Sequence, residues 1–209
     1  RKGQQRSAAA GIWRVNGQLC MTNYEQSQAF GGVIDVLEAV GAQYAIWGGM
    51  AVVAYGEPRF TQDMDILLSR ERFTVSLFVR RLRESHFHVD EMTVNAALGG
   101  GFFNVIHLAY HIKTDFYVPV EPELQAMIAE RTYLPFDEMR RAAYITPTSV
   151  VVAKLRAYQD SQSTRHLDDI ASIVRLQGTD LNRERIDVAA ARSGTLGIWR
   201  ALWEQNLPD

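Results

Sequence analysis

The sequence predicts an α/β (α+β) fold in two parts, a small β-sheet unit with flanking helices and a following unit made of helices. Three observations predict it. Apolar residues alternate strictly over Asp63 to Leu68 and again from Ile106 to Val118, the mark of half-buried strands. Between these runs lie stretches with helical spacing of apolar residues. Beyond Pro119 no long alternating run recurs.

Taken in order, Tyr24 to Val40 carries Phe30, Val33, Ile34, Val36, Leu37 and Val40 at helical spacing and ends at Gly41, which predicts an amphipathic helix. Gln43 to Trp47 is short, apolar and stopped by glycines, hence a buried strand. Met50 to Tyr55 follows as a short helix before the Gly56-Glu57-Pro58 break. In the next strand Met64, Ile66 and Leu68 share one face, and Asp63, Asp65 and Leu67 the other. Phe73 to Leu82 reads as a helix whose arginines, Arg70, Arg72, Arg80, Arg81 and Arg83, form a solvated face. A strand is expected around His88 to Val94, then a turn at Leu98 to Gly101. The run from Ile106 to Val118 is one long strand or two joined at a bulge. It puts His107, His111, Lys113, Asp115 and Tyr117 on a single face.

Thr146-Pro147 is a helix start, with Thr as N-cap and Pro at the first helical position. That helix is expected to reach about residue 160. A second covers Arg165 to Leu176 and ends at Gly178, and two more begin at Asn182 and Leu196. The division drawn from this is 1–20 as a poorly ordered extension, 21–135 as the α/β core and 136–209 as a helical domain.

Composition narrows the function classes. A 209-residue chain that is 47% hydrophobic buries a substantial core. Its net charge of −2 supplies no global field for holding nucleic acid, so such a partner would be gripped locally. A single cysteine, Cys20, excludes an internal disulfide and a cysteine-rich metal site, which fits a reducing, cytoplasmic setting. No apolar run approaches ~20 residues, so no membrane partner is expected. The basic lead ahead of Met21 lacks the apolar segment of a signal peptide.

Two carboxylates at i and i+2 on a strand point the same way, and a third on another strand would complete a cluster too repulsive to stand without a cation. Mg²⁺, with Mn²⁺ as a substitute, is the hard ion that takes a few carboxylates and fills its shell with waters and phosphate oxygens. A pair of such ions ~3.5–4 Å apart stabilises the attacking and leaving oxygens of a phosphoryl displacement. Gly48-Gly49, between a strand end and a helix start, lets backbone N–H groups approach phosphates. Each short motif also has an ordinary reading, Asp63 and Asp65 as a solvent-facing edge and the glycines as a turn.

Together these residues resemble a known family. Gly48-Gly49, Arg59-x-Thr61 and Asp63-Met64-Asp65 are similar to the signature of the DNA polymerase β-like nucleotidyltransferase superfamily, and the R-x-T-x-D-x-D form to its small bacterial branch of AbiEii/MenT-like toxins. The resemblance is specific over 43–70 and weaker, in the right order, to about 177. It implies a small mixed sheet as the core. It also implies a Mg²⁺-dependent transfer of NMP from an NTP to an acceptor hydroxyl, with Asp63, Asp65 and Asp115 as the metal-binding and catalytic carboxylates. Gly48, Gly49, Arg59, Thr61 and Lys154 would bind the nucleotide.

Lys154 lies in an apolar helix, an odd place for an ammonium unless it faces a cleft or snorkels. In "RHLDDI", Asp168 shares a polar stripe with Ser172 and Arg175, whereas Asp169 shares one with Ile173 and Leu176. The second acid of the family's helical motif is therefore carried to Asp169, as a further nucleotide-binding residue. Two positions depart from the pattern: Gly49 stands where many relatives have serine, and His166 where they have an acid. His107 and His111 are read as ordinary strand residues, and Trp47, Trp199 and Trp203 as core. The implied acceptor is an RNA or tRNA 3′ end or a protein, with an antitoxin as a further partner. The alternatives are an antibiotic-modifying enzyme and a nucleotide-binding protein without turnover.

Overall fold

The computed structural model describes residues 11–15, 18–22, 24–71 and 74–207. Strands β1 (Gly11–Val15) and β2 (Gln18–Thr22) pair as an antiparallel hairpin. Of the expected extension over 1–20, residues 1–10, 16 and 17 lie outside the described residues, as do Arg72 and Phe73 further on.

Helix α1 (Tyr24–Ala39) buries Phe30, Val33, Ile34 and Leu37, the stripe that its sequence spacing marks. It leads through Gly41 into β3 (Tyr44–Trp47), α2 (Gly48–Tyr55) and β4 (Met64–Leu68). After α3 (Val75–Glu84) come β5 (Phe87–His88) and α4 (Glu91–Ala97), then β6 (Gly101–His107) and β7 (Lys113–Val118). Arg70, Arg80, Arg81 and Arg83 are exposed. The next elements are α5 (Pro122–Ala129), β8 (Thr132–Pro135) and β9 (Arg141–Tyr144). Helices α6 (Pro147–Ser161), α7 (Arg165–Gln177), α8 (Arg183–Arg192) and α9 (Leu196–Asn206) complete the chain.

Seven strands form one mixed sheet in the order β5-β6-β7-β4-β3-β9-β8. The centre is β7-β4-β3, where β4 runs parallel to β7 and antiparallel to β3. One sheet face packs apolar side chains against the helices. Phe103 and Phe116 stack with ring centroids 4.7 Å apart, and Phe78 of α3 meets Phe116 edge-on at 5.8 Å. Each such ring contributes on the order of 1.5–3 kcal/mol by burial. A single cluster of buried residues runs from Phe30 to Trp199, and α2 packs on both α6 and α7.

Three expectations need correction. The strand expected over His88 to Val94 is two residues long; Asp90 accepts a hydrogen bond from the Thr93 N–H at 2.8 Å and starts α4 instead. That is a side-chain cap overriding a weak apolar pattern. Ile106 to Val118 is neither one strand nor a bulged pair. The chain reverses between His107 and Lys113, with His111 at φ +56°, and β6 returns antiparallel along β7. The reversal shifts the faces, because Asn104, not His107, pairs with Asp115. His107 therefore lies on the face opposite Asp115, stacked on Tyr110 and edge-on to Phe87. The segment after Pro119 is not helical throughout, since β8 and β9 extend the sheet; at four residues each they are too short to show alternation.

Candidate active site

The site forms where β3 ends. Trp47 is the register partner of Asp65, and Gly48 begins α2 with φ +63°, a left-handed conformation open to glycine at little cost. A Cβ there would collide with Asp65 Oδ2, so the first glycine is what lets the carboxylate lie against the start of α2. The helix starts two residues before the expected Met50, which places both glycines in its first turn. Its unpaired N–H groups and positive dipole end therefore face the same place.

Gly49 answers to a different neighbour. A Cβ there would come 2.5 Å from Thr61 Oγ1, so the threonine hydroxyl fills the space that a larger residue would need. Thr61 is buried, and its loop is pinned from α1: Gln26 Nε2 donates to the carbonyls of Thr61 and Gln62, both at 3.2 Å.

Asp65 and Asp115 are register partners on β4 and β7, and Asp63 is exposed just before β4. Burial, then the neighbouring charges of Asp115 and Asp63, push the Asp65 carboxyl up to about 6. Asp115 is buried. Its Oδ2 receives Lys113 Nζ at 2.7 Å, and its Oδ1 has no hydrogen-bond partner among the described residues. Among the described residues no group of three or more His, Cys, Asp or Glu side chains converges to hold an ion. The donors at this end are all hard carboxylate oxygens, with excess negative charge on Asp65 and Asp63. Such a pair fits Mg²⁺, which is held by one or two carboxylates together with substrate phosphates.

The opposite wall is cationic. Asp169 of α7, buried while Asp168 is exposed, accepts from Arg59 Nε at 2.7 Å and Arg59 Nη2 at 3.0 Å. Its Oδ2 also holds Lys154 Nζ at 2.9 Å. Lys154 is itself buried, so it does not snorkel. Asp169 faces the two cations, which fixes where their charge is presented. A cleft of about 350 Å³ is lined by Gly48, Gly49, Arg59, Thr61, Asp63, Asp65 and Lys154, all of them expected site residues. Asp115 and Asp169 do not line it but adjoin lining residues, Asp115 as the register partner of Asp65 and Asp169 through Arg59 and Lys154. A larger cavity of about 690 Å³ between α5, α6 and α8 contains none of them.

Four residues that the sequence did not single out also belong here. Phe60, Gln62 and Arg165 line the cleft, and Lys113 bridges to Asp115. His166, noted only as a departure, lines it too. Burial and then Lys154 hold its imidazole below the usual range, and its Nδ1 has no hydrogen-bond partner among the described residues. Only the "R-x-T" spacing hinted at the loop, and alternation marked Lys113 only by placing it on the face of Asp115.

No family model matches the chain, and no curated protein does. Solved structures do. The chain is similar to ANT(2")-Ia in complex with adenylyl-2"-tobramycin, at 15% identity and a TM-score of 0.52 over 81% of this chain and 97% of that one. A solution structure of the antibiotic-resistance factor ANT(2'')-Ia matches at 16% identity and 0.51, over 86% and 96%. An antigenic nucleotidyltransferase-like protein from Paracoccidioides brasiliensis matches at 15% and 0.53, over 89% and 95%. The chain has the nucleotidyltransferase fold.

Proposed function

We propose that the protein is a Mg²⁺-dependent nucleotidyltransferase that moves an NMP from an NTP to an acceptor hydroxyl and releases pyrophosphate. The observation that carries this reading is the polarity of the cleft. The cleft at the first turn of α2 is lined both by the carboxylates Asp63 and Asp65 and by the cations Arg59 and Lys154, which are paired with Asp169.

In this reading the N–H groups of Gly48 and Gly49 cradle the phosphates, and Arg59 and Lys154, held on Asp169, orient the triphosphate. Asp63 and Asp65 hold the metal, with Asp115 beside them. Mg²⁺ bound there would neutralise the charge gathering on the phosphoryl oxygens. Asp115 helps draw the proton from the acceptor hydroxyl as that oxygen attacks the α-phosphorus. Catalysis is mainly positioning and electrostatic stabilisation. For the acceptor, the R-x-T-x-D-x-D motif supports a toxin-like enzyme of the AbiEii/MenT-like branch acting on an RNA end or a protein. A small-molecule hydroxyl is the alternative, and label transfer decides between them.

Transfer of label from α-³²P NTPs, with Mg²⁺, to bacterial RNA, to protein and to a panel of antibiotics tests the chemistry. Label in one acceptor class, absent with Asp63→Ala and Asp65→Asn, is expected. Full transfer by folded Asp65→Asn, or tight NTP binding with no transfer to any acceptor, would overturn it.

A further inference from the structure

Beside the carboxylates the sheet face carries a row of aromatic rings. Trp47 and Tyr117 stand on strands either side of β4, yet their centroids lie 5.2 Å apart, edge to face. Phe102, the cross-strand partner of Tyr117, continues the row at 5.9 Å. The row begins at the register partner of Asp65 and passes two residues from Asp115. Phe102 is 54% exposed and Tyr117 37%, an unusual amount of aromatic surface in water next to a polar site.

We propose that Phe102, Tyr117 and Trp47 form the acceptor platform, and that the acceptor is a phosphate-free, hydroxyl-bearing ring compound. As an acceptor assignment this rests on the transferase reading. The rings offer flat apolar surface on which a sugar, cyclitol or heterocycle lies, with its hydroxyl at the carboxylate end. At that end stand Asp65, which lines the cleft, and its register partner Asp115. Charge selects the class. Along β6 and β7 this face carries Phe102, Asn104, Ile106, Lys113, Asp115 and Tyr117, so its one cation is Lys113, already paired with Asp115. A polynucleotide backbone needs several cations along its path, and this face has two aspartates, Asp65 and Asp115, against that one lysine.

The test measures binding to the full chain, with Mg²⁺ and a non-hydrolysable ATP analogue present, of tobramycin, a lincosamide, uridine and the RNA trinucleotide CCA. Saturation-transfer NMR and tryptophan fluorescence are the readouts. At least one phosphate-free compound is expected to bind, to weaken roughly tenfold or more in Phe102→Ala and Tyr117→Ala, and to be retained by Tyr117→Phe. Binding of a fluorescent ATP in the same variants is expected to stay within about twofold, because none of these side chains lines the nucleotide cleft. Failure of every ring compound to bind would overturn the proposal, as would binding unchanged in Phe102→Ala or preferential binding of the trinucleotide. Failure of the transferase reading is distinguishable, because it shows as absent label transfer while Phe102-dependent binding persists.

Discussion

The two walls of the cleft handle charge in opposite ways. On the helical wall Arg59 and Lys154 are both held on Asp169, which is only 2% exposed. On the sheet wall Asp65 is pushed up to about 6 by burial and by Asp115 and Asp63, and among the described residues Asp115 forms an ion pair with Lys113 alone. The difference separates two tasks. The helical wall is finished before any ligand arrives and so holds its cations in one geometry. The sheet wall keeps negative charge that Lys154 and Lys113 offset only in part, which ties its electrostatics to loading of the site by a further cation.

The largest expected effect comes from breaking the finished wall. Asp169→Ala leaves two cations facing each other with their counter-charge gone, and removing one partner from such a buried cluster costs on the order of 3–5 kcal/mol. Urea unfolding measures it. Glu57→Ala, which removes an exposed pair with Arg175, is expected to cost less than about 1 kcal/mol in the same assay. Equal losses at the two positions would mean that the Asp169 cluster is no more than a surface ion pair, and the comparison between the walls would fail.

A smaller effect tests the junction between the walls. Gly48 and Gly41 both have φ near +65°, but a Cβ at Gly48 meets Asp65, whereas at Gly41 nothing lies within 4 Å. Gly41→Ala therefore reports left-handed strain alone, about 1 kcal/mol. Gly48→Ala adds the collision and is expected to cost about 2–3 kcal/mol. Matching values from thermal unfolding would show that Asp65 swings away freely and that the glycine does not shape its position.

Much of this contrast is legible in the sequence, because it depends on short-range periodicity. Alternation puts Asp65 and Asp115 on strands and Asp63 at the edge of one, an ammonium in an apolar helix marks Lys154, and a two-stripe reading separates Asp169 from Asp168. What is hidden depends on how the chain turns. The reversal between His107 and Lys113 decides that Asn104 rather than His107 lies beside Asp115, and it brings Phe102 to Tyr117. The alternation continues unbroken through the loop and gives no sign of the turn. Strands β8 and β9 are likewise too short to announce themselves, and the start of α4 is decided by one side-chain cap at Asp90. Thr61 filling the space beside Gly49 is a contact across a loop, which no spacing rule encodes.

The smallest effect, and the one that separates the walls by sign, comes from neutralising a carboxylate on the sheet side. Because the Asp65 carboxyl titrates higher in the folded chain than in the unfolded one, the native state holds the proton more tightly. Its charged form then costs stability at all pH values above about 6. Asp65→Asn removes that cost, so in EDTA it is expected to stabilise the protein by about 1–2 kcal/mol at pH 7.5. The gain should shrink as pH falls from about 6 and vanish only below about 4, where the wild-type carboxyl becomes protonated in both states. Asp169→Asn, on the finished wall, should lower stability at pH 7.5, because it takes a charge away from two cations that depend on it. Paired urea titrations across this pH range decide the matter. If both asparagine variants move stability in the same direction, the two walls do not differ in the way their charges are balanced.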